Sequence, residues 1–253
     1  MSHVAALTYE LAILSISLYI GRRLLDKFAE KRTKPMLFVM VWGTMLLLSV
    51  LSSVVGRVLR VTGAWDLPSG ERLEMLAFTT AFLMASSEFF LAFVLEVFHG
   101  GVAKPANKLL LGAFGGMVVA SIAYSFASGV LFVEDVTVGT WVLVNLLAAG
   151  PYLLLVVDST RLIRRLRSEN DLLATRSMQA ILATPLLLLV TFSFFLVDRV
   201  LGGRYSPFYF VAWAVSLVAI GTLIAGYLQP GWWKRRYVRV PPSGEVHSPR
   251  SDY

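Results

Sequence analysis

Charge is laid along this chain in blocks. Seven stretches, 4–20, 36–55, 75–98, 109–132, 140–157, 178–197 and 207–228, are nearly free of it, and the segments between them hold almost all of it. A helix needs roughly 20 apolar residues to cross a bilayer, within a range of about 17–25, and all seven stretches fit. The pattern predicts an all-α integral membrane bundle of seven transmembrane helices over residues 1–230, followed by a basic tail, partly disordered, over 231–253. Composition agrees: 57% of the residues are hydrophobic and 15% charged, against about 45–50% and 25% for soluble domains. So few charges exclude a soluble enzyme, a disordered chain and a coiled coil.

The basic residues give the bundle a direction. Eighteen of the 23 lysines and arginines fall in the odd-numbered connections and the tail, and five in the even-numbered ones. By the positive-inside rule the N-terminus is outside, the C-terminus is cytoplasmic, and the protein sits multi-pass in the cell membrane. The net charge of +7 therefore reads as contact with membrane lipid, and nucleic acid is not an expected partner. Arg22 and Arg23 follow the first apolar core and no lysine or arginine precedes it, the reverse of a signal peptide, so the first stretch is expected to be retained.

Glu88 is the most informative side chain. Counted from Met75 at 1.5 Å per residue it lies roughly 20 Å deep, just past the midplane. The apolar stretches contain no lysine or arginine to pair with it. An acid at that depth faces the bundle interior or a water cavity, either neutral and hydrogen-bonded between helices or ionised beside a cation or water. Glu10, in the outer half of the first span, is expected to share its cavity or to bond a neighbouring helix. Ser87, Asn145 and Tyr124 complete the expected ligand or ion site, although such groups also serve as interhelical hydrogen bonds. Glu96 and His99 are spaced to meet on one helical face, as are Asp158 and Arg161.

Gly112, Gly116 and Ala120 recur every four residues, a spacing that lets helix backbones approach. It is expected to pack within the bundle, with a homodimer face as the alternative. Pro151 and Pro185 are expected to kink their spans. Arg161, Arg164, Arg165 and Arg167 on an amphipathic extension, and Lys234, Arg235 and Arg236 in the tail, are expected to contact lipid or a cytoplasmic partner.

Several chemistries are excluded by residue counts. The chain has no cysteine, and of its 3 histidines His3 and His247 lie outside the spans, so thiolate metal sites and a bis-histidine haem within the bundle cannot be built. No span carries a lysine for a retinal Schiff base, and the metalloprotease, serine-hydrolase and phosphate-loop motifs are absent. No metal or cofactor is expected, and no enzymatic activity.

The outside N-terminus, the short loops and the segment Gly226-Tyr227-Leu228-Gln229-Pro230 followed by Trp232 resemble the seven-helix membrane sensor module of some prokaryotic histidine kinases and related signalling proteins. The likeness spans about residues 4–233 and carries no catalytic residue. No kinase domain follows within this sequence, so the resemblance implies a signal passed to a separate cytoplasmic protein. The expected function is sensor-like or receptor-like binding of a small ligand or ion within the bundle. A small proton- or cation-coupled transporter or channel using Glu88, and a structural subunit of a larger membrane complex, remain the alternatives.

Overall fold

The computed structural model describes residues 3–62, 72–131, 136–169, 171–201 and 206–237. They form α1 (His3–Lys31), α2 (Lys34–Val61), α3 (Arg72–Phe98), α4 (Pro105–Leu131), α5 (Val136–Ser168), α6 (Leu172–Val200) and α7 (Pro207–Leu223), then a π-helical turn (Ile224–Leu228) and α8 (Gly231–Tyr237). No strand occurs among the described residues. Six helices, α2 to α7, are long and apolar enough to cross a membrane, which marks a multi-pass membrane protein. The helix α1 is more polar, because Arg22, Arg23 and Lys27, read above as loop residues, lie on it.

Helix ends follow local chemistry. Asp171 caps α6 by accepting from the Ala174 amide at 2.9 Å, and Ser206 caps α7 with Pro207 in the first turn. Between α3 and α4 the chain turns through Gly100 and Gly101, both at positive φ, a conformation glycine adopts freely. Glu96 closes that turn by accepting from the Val102 amide at 2.8 Å. It is therefore not the partner of His99, which instead meets Asp158 on α5, Nε2 to Oδ2, at 2.7 Å.

In the packing, α1, α2, α3, α5, α6 and α7 follow one another around a ring, with α4 outside against α3 and α5. The ring closes thinly, because α1 and α7 scarcely touch. An aromatic column holds the centre: Trp42 lies 5.2 Å from Phe90, Phe90 4.6 Å from Tyr152, and Tyr152 is stacked 6.2 Å from Phe192. Four helices thus share one set of rings. Pro151 and Pro185 lie inside α5 and α6, which continue past them.

Several helices outrun their sequence estimates, and two of the extensions matter for the site. The helix α2 runs to Val61, so Arg57 is a helical residue, and α5 runs to Ser168, which makes the expected basic extension continuous with the span. The stretch 63–71, Arg204, and the tail after Tyr237 with Arg239 and Arg250 lie outside the described residues.

Candidate functional site

An elongated cavity of about 810 Å³ lies where the ring closes thinly, lined chiefly by α1, α2, α6 and α7. Small-molecule pockets run about 300–1,000 Å³, so this one can hold a ligand. Its wall is mostly apolar, with Ile13, Leu24, Val50, Trp42 and Leu188 among its side chains. Among the described residues, the charged side chains that line it are all arginines: Arg57 and Arg199 toward one end, Arg22 toward the other.

The Arg57 end is built around a buried polar cluster. Arg57 forks onto Glu10, Nε to Oε2 and Nη2 to Oε1, each at 2.6 Å. Ser53 donates to Glu10 Oε1 at 2.9 Å, Tyr209 donates its hydroxyl proton to the same oxygen, and Arg57 Nη2 reaches the Tyr209 hydroxyl at 2.9 Å. Glu10 is 0% exposed and Arg57 8%, so this ion pair is withdrawn from solvent on both sides. Bidentate geometry is the arrangement in which an arginine–carboxylate pair repays its desolvation. The cluster pins α1 to α2 and α7 at the point where packing alone is sparse.

Sequence reasoning missed Arg57. Its charge ended an apolar run and was read as the first residue of a connection. Continuing the helical register for another turn beyond Val55 would have brought it back into the span.

Glu88 does not join this cluster. It faces α4, where a Cβ built on Gly115 would lie 3.4 Å from its Oε1, and its Oε2 is buried with no hydrogen-bond partner among the described residues. Neither Glu88 nor Ser87 lines the cavity, and Ser87 is directed to the carbonyl of Leu83 at 3.5 Å. Glu10 turns to α2 and α7 and Glu88 to α4, so among the described residues the two do not share a cavity. Asn145 spans α5 and α6, donating to the carbonyls of Trp141 at 2.8 Å and Phe192 at 3.3 Å. Tyr124 is 52% exposed on α4, away from the cavity.

The small-residue stripe is also corrected. Gly112, Gly116 and Ala120 face outward from the bundle, and no atom lies within 4 Å of a Cβ built on either glycine. The helix α4 packs through Phe114, Val118 and Gly115 instead. Of the basic residues, Arg161, Arg164, Arg165 and Arg167 are exposed on α5, and Lys234, Arg235 and Arg236 on α8. Arg161 approaches Asp158 at 3.7 Å, beside the His99 contact.

Comparison with protein-family models, with curated proteins and with solved structures gives no match to this chain. Function therefore has to be argued from the site itself.

Proposed function

We propose that this protein is a receptor-like membrane protein of seven spans that binds a small ligand in the α1–α2–α6–α7 cavity and signals to a separate cytoplasmic partner. The orientation is N-terminus outside and C-terminus cytoplasmic in the cell membrane, as the loop charges favour. It puts the Arg57 end of the cavity toward the outside. The helix α1 serves as the seventh span, its buried acid neutralised by the fork from Arg57.

The observation that carries the reading is the cavity itself, a ligand-sized and mostly apolar volume with a buried polar cluster at one end. The output route runs along α7. Its residues Tyr209, Trp213, Ser216 and Leu223 line the cavity, and it continues into the π-helical turn and the basic α8. Gln229 and Trp233 both donate to Ser177 Oγ, at 3.0 and 3.2 Å, tying that end to α6. Single-turn π segments are frequent at functional sites. The exposed arginines of α5 and the cations of α8 offer the partner a basic surface.

The transporter alternative rests on one observation, the Oε2 of Glu88 without a hydrogen-bond partner among the described residues. Against it, Glu10, Glu88 and Glu96 make their contacts in three separate places, on α2 and α7, on α4, and in the α3–α4 turn.

The test uses the absence of native cysteine. Ser49→Cys and Ser216→Cys line the cavity and Ser87→Cys does not. A membrane-permeant maleimide should label the first two in the folded protein and spare the third. Absence of labelling at both would remove the ligand cavity. Proton uptake into proteoliposomes that is lost in Glu88→Gln would turn the assignment to transport.

A further inference from the structure

We infer that the cavity takes a single-chain anionic amphiphile, its acidic head held by Arg199 at the end where Arg57 and Glu10 pair, and its apolar chain running toward Leu223 and Leu24. The inference rests on the ligand-binding reading above and adds the chemistry of the ligand.

Three features of the cavity agree on this class. The first is length. Tyr209 and Leu223 both line it on α7, 14 residues apart, which at 1.5 Å per residue spans about 21 Å. The second is volume. At about 810 Å³ the cavity falls within the roughly 300–1,000 Å³ of small-molecule pockets, room for one long chain with a small head.

The third feature is charge. The described charged residues of the wall are arginines; Glu10 matches the charge of Arg57, which leaves Arg199 as the cation at that end. Arg199 lies one helical turn beyond Phe195, whose ring is 5.8 Å from that of Tyr209, so it belongs to the Arg57 end. No ion pair engages Arg199 among the described residues. An acidic head would accept from Arg199, and a neutral or cationic head would leave it unmatched. Arg22, at the opposite end, is exposed and reaches solvent.

The experiment uses the full chain in an uncharged detergent. Native mass spectrometry and tryptophan-monitored unfolding are read with palmitate, 1-hexadecanol, butyrate and dioleoylphosphatidylglycerol. Palmitate should bind and raise the unfolding temperature. Hexadecanol lacks the charge and butyrate the chain, and each should bind at least about tenfold more weakly, the scale of one charge-assisted hydrogen bond or more. Arg199→Gln should weaken palmitate about tenfold, Arg199→Lys should lose less, and Arg22→Gln should change nothing. Ser17→Trp, which projects into the middle of the cavity, should abolish binding.

Equal binding of palmitate and hexadecanol, indifferent to Arg199→Gln, would overturn the acidic head while leaving a ligand cavity in place. Preference for the phospholipid would overturn the single chain. A loss caused by Arg22→Gln instead of Arg199→Gln would overturn the placement of the head. Should Arg199→Gln not fold, the comparison of palmitate with hexadecanol on the wild type decides alone. Failure of every probe to bind, with Ser216→Cys unreactive, would remove the receptor reading as well.

Discussion

Arg57 and Glu10 stand 47 residues apart in the chain and meet as a two-point fork inside the bundle. The guanidinium comes from the last turns of α2 and the carboxylate from the second turn of α1, and Tyr209 of α7 bonds to both. Three helices are joined by one charged cluster at the end of the cavity. The same atoms that hold α1 against the bundle therefore also set the electrostatics of the site.

Breaking this pair should cost far more than removing it whole. A buried charge left without its partner costs roughly 3–5 kcal/mol. Glu10→Gln or Arg57→Met alone should each lower the unfolding temperature sharply in detergent. The double variant should recover much of the loss. A double-mutant cycle without coupling would mean that the two side chains act independently.

Glycines on two helices should respond in opposite ways. A Cβ at Gly226 in the π-helical turn would lie 2.6 Å from the Ser177 carbonyl oxygen and 2.9 Å from the Ile181 amide nitrogen. Overpacking of this kind costs about 1–3 kcal/mol, so Gly226→Ala should destabilise measurably. Gly116→Ala points into open space and should leave the melting curve unchanged. Equal effects of the two would contradict the rotation of α4 described above.

Glu88 and Glu10 should also diverge. Glu88 Oε2 is buried without a partner among the described residues, a state that costs about 1–3 kcal/mol. Glu88→Leu should therefore raise the unfolding temperature, whereas Glu10→Leu strands Arg57 and should lower it. Thermal unfolding of both variants in one detergent compares them directly, and a fall with Glu88→Leu would indicate a bound partner for that carboxyl.

Trp42 both supports the aromatic column and lines the cavity. Truncating a buried tryptophan costs about 3–5 kcal/mol. Trp42→Ala should lower stability by this order while enlarging the cavity. Trp42→Phe should keep most of the stability, because a ring contact with Phe90 survives. Equal melting curves for Trp42→Ala and wild type would show that the column does not hold the centre.

Much of this protein could be read from its one-dimensional pattern. Hydropathy and charge vary along the chain, so the seven helical stretches, the basic faces of α5 and α8 and the exclusion of thiolate chemistry needed no tertiary information. Rotation about each helix axis is another matter. The helix α4 is apolar nearly all round, so nothing in its sequence distinguishes the outward stripe of Gly112, Gly116 and Ala120 from the inward Gly115. Glu88 was conspicuous because it stood alone, and the structure leaves its Oε2 alone among the described residues.

Arg57 divides the two kinds of knowledge. By itself it is a charge that ends an apolar run, since an isolated guanidinium is too costly to bury. It can stay inside the bundle only because Glu10, Ser53 and Tyr209 are brought to it from elsewhere in the chain. Sequence alone determined which segments are helical and apolar, because that depends on transfer of each residue from water. Only the tertiary structure decided which charges are buried, which glycines are contacts and where the cavity lies, because those depend on partners far apart in the chain.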